Sequence, residues 1–134
     1  MSQGQDVELI RRALDAWNRR DIEALLGMCD PGIEFVNSPT AVEPGTRRGF
    51  DETTAAFQAQ WDVLLDARQE IERIFDDGDE ILTLGSLSRR MPESEARLEQ
   101  PILMSWQTRD GKLTRMEVLG LGGGEVETAL GGRR

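Results

Sequence analysis

The chain has 134 residues, 38% hydrophobic and 31% charged, which is one domain's worth of sequence with material for a single core. Its net charge of −9 argues against nucleic acid and anionic membrane as partners, because both select a basic surface. One cysteine and no histidine exclude an intrachain disulfide, Ser-His-Asp and Cys-His triads, and the usual zinc ligand sets.

In chain order, Val7, Ile10, Leu14 and Trp17, with Ala13 beside them, predict a helix from about Asp6 to Arg19. Asp6 is its expected N-cap, and Arg19 and Arg20 suit the negative end of its dipole. Asp21 is expected to cap a second helix from Ile22 to about Cys29, with Ile22, Leu25, Leu26 and Cys29 on its apolar face. Asp30-Pro31-Gly32 should end it, since proline cannot continue the ladder. With no imidazole to activate it, Cys29 reads as a small buried hydrophobe.

Ile33 to Asn37 reads as a short strand with Ile33, Phe35 and Asn37 on one face. Asn37-Ser38-Pro39 breaks it, and Glu43-Pro44-Gly45 turns the chain. Phe50, Thr54, Phe57, Trp61 and Leu64 then form the stripe of a third helix, about Asp51 to Leu65. Arg68 to Phe75 has helical and strand features. A hairpin with Ile81 to Leu87 across Asp76-Asp77-Gly78-Asp79 is the economical reading. Those acids, with Glu80, lack the twelfth-position ligand of an EF-hand and read as a solvated turn.

Met91 to Glu95 is expected to be a loop. Pro101 to Gly120 reads as a long hairpin about Asp110-Gly111, one of the strongest short hairpin signals. Ile102, Met104 and Trp106 share one face, and Thr114, Met116 and Val118 can share the facing one. Such an apolar ribbon must be covered, and the helices can cover it. The run Gly120-Leu121-Gly122-Gly123-Gly124 reads as a strand relaxing into a mobile tail, residues 121–134, with a short helix available at Glu125 to Leu130. It lacks the Lys-Ser/Thr of a phosphate loop, and Glu125 stands where an anion would sit. The core then spans about residues 6–120 of a single domain.

Helices first and an antiparallel sheet after them make the class α+β. The chain resembles the SnoaL-like branch of the nuclear transport factor 2-like superfamily, with its polyketide cyclases, ketosteroid isomerase and limonene-epoxide hydrolase. The resemblance covers about Val7 to Leu119. It rests on Ala16-Trp17-Asn18-Arg19-Arg20-Asp21, Ile33-Glu34-Phe35-Val36-Asn37 and Glu43-Pro44-Gly45-Thr46-Arg47-Arg48-Gly49-Phe50. Asp77-Gly78-Asp79, Pro101 and Trp106-Gln107-Thr108-Arg109-Asp110-Gly111-Lys112-Leu113 complete it. The resemblance implies a cone: a curved, mainly antiparallel sheet, a cystatin-like roll, wrapped around three helices from the N-terminal half. A pocket would lie at its open end.

The resemblance also implies which catalytic groups to look for. The hydrolase's water-holding Asn matches Asn37, in Asn37-Ser38-Pro39, but its Tyr falls at Phe35. Its Arg and Asp fall at Ser86 and Ser88, and the last-strand aspartate of the hydrolase and cyclase falls at Val118. The isomerase base falls near Asn37, an amide, and the chain has no tyrosine. Glu117, the nearest acid, alternates to the face opposite Val118.

The implied pocket is lined by Trp17, Phe35, Asn37, Trp61, Leu84, Ser86, Met104, Trp106, Met116 and Val118, with Asn37 the best catalytic candidate. It suits a small hydrophobic molecule, without metal or cofactor. Enzymes of the isomerase, cyclase or hydrolase kind, a non-catalytic binder and a dimeric scaffold module all remain readings, as does a filled core. Leu103, Leu113 and Leu119, amid Arg115 and Glu117, suggest an outer face that pairs two copies as a homodimer. No charged-then-apolar leader at Met1 and no run of about 18 apolar residues make the cytoplasm the expected setting.

Overall fold

The computed structural model describes residues 3–41, 43–77 and 79–132. Met1, Gly78 of the acidic turn and the last two residues of the tail lie outside them. The elements are α1 (Gln3–Asn18), α2 (Ile22–Gly27), β1 (Cys29–Asn37), β2 (Gly45–Arg48), α3 (Gly49–Val63), β3 (Arg68–Asp77), β4 (Glu80–Arg90), β5 (Arg97–Arg109), β6 (Lys112–Leu121) and α4 (Gly123–Gly131). The six strands form one curved, unclosed sheet in the order β2-β1-β6-β5-β4-β3. Every pairing is antiparallel except β1 with β6. This is the α+β architecture implied by the resemblance. No described helix is long and apolar enough to cross a membrane.

The long hairpin supplies the inner face of the sheet. Ile102, Met104 and Trp106 of β5 lie beside Leu121, Val118 and Met116 of β6, and all but Leu121 are buried. The β6 face departs from strict alternation. A register shift beside Thr108 turns Leu113, not Thr114, into the core, which is what an extra residue in a ladder does.

Two helices cover this face. α1 buries Leu9, Ile10, Ala13, Leu14, Ala16 and Trp17. Its end is fixed to β3 by the Asn18 amide, which donates to Gln69 O at 2.9 Å and accepts from Gln69 N at 2.8 Å. Asp6 lies inside the first turn of α1 and is not its cap. In α3 the buried stripe is Thr53, Ala56, Phe57 and Gln60, so the helix is rotated slightly from the expected face, and Phe50, Thr54, Trp61 and Leu64 flank it half-buried.

Asp21 caps α2 as expected, accepting from Ala24 N at 3.1 Å. The helix then stops at Gly27, and Cys29 begins β1. Asp30-Pro31-Gly32 is therefore no terminator but an irregular stretch inside the strand, where pairing with β6 shifts between Cys29 and Glu34. β2 is a short strand where only a turn was expected.

β3 and β4 approach each other closely at Gly85. Gly85 stands opposite Ile71, next to a register shift that leaves Glu72 unpaired. A Cβ on Gly85 would overlap the Glu70 carbonyl oxygen and stand 2.9 Å from its carbon. A bulge and a bare glycine at one spot are the two devices by which a sheet bends sharply.

The outer face differs from expectation. Leu113 points into the core, and Leu103, though it faces outward, is fully buried. The tail is not loose. It forms α4, which packs on β5 and β6 and buries Val126. Gly120 permits this, since a Cβ there would stand 2.9 Å from the backbone of Glu125 and Val126. No exposed row of leucines therefore exists to argue for a partner copy, and Leu119 alone of the three keeps partial exposure.

Gly85→Ala should lower unfolding stability by about 2–4 kcal/mol, the range for a clash that only backbone movement relieves. Urea denaturation measures it, and a loss below about 0.5 kcal/mol would show that the approach of β3 tolerates a methyl group.

Candidate functional site

Under the curled sheet the helices leave a cavity of about 430 Å³. That lies within the range of roughly 300–1,000 Å³ for small-molecule sites. Ala13, Leu14 and Trp17 of α1 and Phe57 of α3 form one side. Phe35, Ile102, Met104, Trp106, Met116 and Val118 of the sheet form the other. Trp106 is held in place because its Nε1 donates to Thr83 Oγ1 at 2.9 Å, which satisfies the buried indole. Phe35 and Phe57 pack with ring centroids 4.9 Å apart.

The cavity brings together Trp17, Phe35, Asn37, Met104, Trp106, Met116 and Val118. Trp61 stands behind them, its ring 6.1 Å from Trp17 and 6.2 Å from Phe57. Leu84 and Ser86 do not line the cavity. They pair with Leu103 and Pro101 on the outer face, while Ile81, Thr83, Leu87 and Arg89 alternate inward. The expected register of β4 was off by one residue, which exchanges the two faces.

That exchange brings in a group the sequence reading missed, Arg89. It lines the cavity half-buried and is the only ionisable side chain among the described residues that does so. No carboxylate and no thiol among the described residues lines the space. Arg89 makes no hydrogen bond or ion pair among the described residues, whereas Arg97, nearby on β5, is held by Asp66 at 3.0 Å. Gln60, Gln69 and Gln100 add amides to the lining. Gln69 Nε2 donates to Met104 Sδ at 3.0 Å. The amides of Gln60, which is 8% exposed, and Gln100 have no protein partner among the described residues. The signal that could have revealed these residues was the length of β4, whose alternation continues through Arg90.

Asn37 is buried, but its amide serves the neighbouring backbone. Its Oδ1 accepts from Ser38 N at 3.0 Å, and its Nδ2 donates to Glu43 O at 3.3 Å, across the turn into β2. The rim above it is fastened by Glu125. That carboxylate accepts from Thr40 Oγ1 at 2.6 Å, Ser38 Oγ at 2.8 Å and Leu121 N at 3.1 Å. These bonds, the one from Thr40 foremost, hold its pKa below the usual glutamate value. Cys29 lies off the cavity, donates to Leu25 O at 3.3 Å, and is pushed by burial up to about 12, so its thiol stays protonated at neutral pH. No cluster of three or more His, Cys, Asp or Glu side chains fit to hold a metal ion occurs among the described residues.

Residues 10–116 match the family model of the SnoaL-like domain. No curated protein matches the chain. Among solved structures, TerC co-crystallised with polyporic acid superposes with a TM-score of 0.75 at 24% identity, over 85% of this chain and 89% of that one. A nuclear transport factor 2-like protein of unknown function from Burkholderia pseudomallei K96243 gives 0.77 at 19% identity, over 96% and 95%. A protein with a ketosteroid isomerase-like fold from Catenulispora acidiphila DSM 44928, in complex with trimethylamine, gives 0.71 at 14% identity, over 83% of each. At these identities the likeness is one of fold.

Asn37→Ala should cost about 1–2 kcal/mol, the net worth of its bonds to Ser38 N and Glu43 O, and thermal unfolding measures it. A cost near zero would mean that the turn holds without the amide. A depressed carboxylate stabilises the fold above its unfolded pKa and loses that contribution as pH falls through its folded one. Glu125→Gln should therefore melt below the parent protein at neutral pH, with the gap narrowing as pH drops below the ordinary glutamate range. A gap independent of pH would show that the carboxylate's charge is not what fastens the rim.

Proposed function

From the premise that the chain belongs to the SnoaL-like domain family, we propose that it binds a small, largely hydrophobic molecule inside its cone. The observation that carries this reading is the cavity itself, about 430 Å³ lined by aromatic and aliphatic side chains with a few convergent amides. A core meant only for stability would be expected to close such a void, because unfilled space costs packing energy. Two neighbours of the same fold were crystallised with small molecules, polyporic acid and trimethylamine, which supports the same use of the cone here.

The lining favours binding, or at most catalysis by positioning. Proton transfer by an isomerase, cyclase or hydrolase needs a group that titrates near the working pH. The polar side chains that line the cavity among the described residues are amides, a hydroxyl, indoles and a permanently charged guanidinium. Asn37, Gln60 and Gln69 can orient a carbonyl or a hydroxyl, but none can take a proton at neutral pH.

The test is a screen of steroid-like, terpenoid and aromatic polyketide-like compounds by tryptophan fluorescence and thermal shift. Trp17 and Trp106 border the cavity, so an occupant should change their emission. At a hundred times its dissociation constant a ligand should add about 2.7 kcal/mol to stability by mass action. If no compound moves either signal, the cavity is a packing defect and the reading fails. Rapid isomerisation of a ketosteroid by the unmodified protein would overturn the binding-only form of it.

A further inference from the structure

We infer that the ligand carries an anionic head, a carboxylate or an ionised hydroxyl, and that Arg89 selects it. This inference rests on the reading of the cavity as a small-molecule site. It starts from a contrast in charge. The chain holds 25 acidic and 16 basic side chains. Yet among the described residues the cavity lining contains none of the acids and one base. A half-buried guanidinium is costly to leave unpaired, because it loses hydration without gaining a counter-charge. Of the other arginines on the strands, Arg47, Arg48, Arg97 and Arg115 each have a carboxylate within 4 Å, Arg90 donates to Ser94 O at 3.5 Å, and Arg68, Arg73 and Arg109 are exposed. Arg89 has no such partner among the described residues.

The surroundings of Arg89 repeat the pattern. Gln100 lies two pairs along the same ladder, opposite Leu87, and shares the inward face. Gln60 comes from the last turns of α3, whose exit is tied to this end of β4 by the bond from Arg90 N to Leu65 O at 2.8 Å. Neither amide has a protein partner among the described residues, and Gln60 is more than nine-tenths buried. Three polar side chains with open hydrogen-bonding capacity thus line one apolar space, from three different elements. The two amides can donate or accept, so they do not decide the sign of the ligand. Arg89 decides it, since a guanidinium only donates and its fork matches two oxygens of one head. Thr40 and Ala41 on the turn after β1 complete the lining and bring no opposing charge.

The apolar walls demand a hydrocarbon or aromatic body, and Arg89 demands one negative charge on it. A neutral analogue would leave the guanidinium desolvated and unpaired. A cationic analogue would place like charges together.

A matched pair of fluorescent probes tests this. 8-Anilinonaphthalene-1-sulfonate carries an anion, and N-phenyl-1-naphthylamine is the same body without it. The parent protein should bind the anionic probe about tenfold more tightly, the scale of one charge-assisted pair. Arg89→Gln should erase that preference, weakening the anionic probe about tenfold while the neutral probe binds at least as tightly as to the parent, and an unchanged circular dichroism spectrum shows that the variant is folded. Arg89→Lys, which keeps the charge and loses the fork, should restore part of it. Binding of both probes with no preference, or a preference that survives Arg89→Gln, overturns the assignment and leaves the cavity reading standing. Failure of the parent protein to bind either probe overturns the cavity reading and this inference with it.

Discussion

The closeness of β3 to β4 at Gly85 governs the rest of the molecule. A strand can cross its neighbour there only because no Cβ intervenes and because Glu72 is surplus to the ladder. Remove that approach and the sheet flattens. On the same strand, the Asn18 amide holds both backbone groups of Gln69, which ties the end of α1 to β3. A curved floor beneath straight helices does not close. The remaining space is the cavity, and its walls are the apolar ribbon that had to be covered in any case.

Burial physics then sorts what can stand in that space. Carboxylates lose more by desolvation than an apolar wall can return, so in an acid-rich chain they stay on the outside. Glu34, Arg115 and Glu117 illustrate this on the outer face, where they pair with one another at 2.8–3.6 Å and remain partly solvated. The interior receives groups that can be satisfied by neutral partners. Trp106 finds Thr83, and Gln69 finds Met104. Among the exceptions, Arg89, Gln60 and Gln100 are informative because they line the cavity and no side chain or backbone group among the described residues answers them.

Much of the fold was legible because it is written in short-range signals. Asp110-Gly111 sets a turn and thereby the pairing of two long strands. Asp21 caps a helix by the geometry expected of an aspartate before an apolar run. Ile33, Phe35 and Asn37 alternate cleanly and do face inward. What failed depended on distant partners. Asp30-Pro31-Gly32 looks like a helix terminator, but β6 recruits it into a strand, and an irregular edge tolerates proline. The glycine run near the C-terminus looks like a loose tail. Its meaning lies in Gly120, which lets the backbone of Glu125 and Val126 lie against the sheet, and in three donors that converge on one carboxylate. Neither fact is visible from composition.

The candidate site turned on parity alone. β4 was recognised as a strand, but which of its two faces looks inward depends on its neighbours, and a strand's side chains change sides with every residue. With even positions inward, Leu84 and Ser86 would furnish a neutral pocket. The pairing of Thr83 with Met104 and Ile81 with Trp106 selects the odd positions instead. Continued along the strand, that choice carries Leu87 and then Arg89 into the cavity. A single step in register thus replaces a pair of uncharged side chains by a permanent cation. Because a guanidinium in apolar surroundings favours one sign of charge and rejects the other, the same step sets the class of molecule that the proposed site would take.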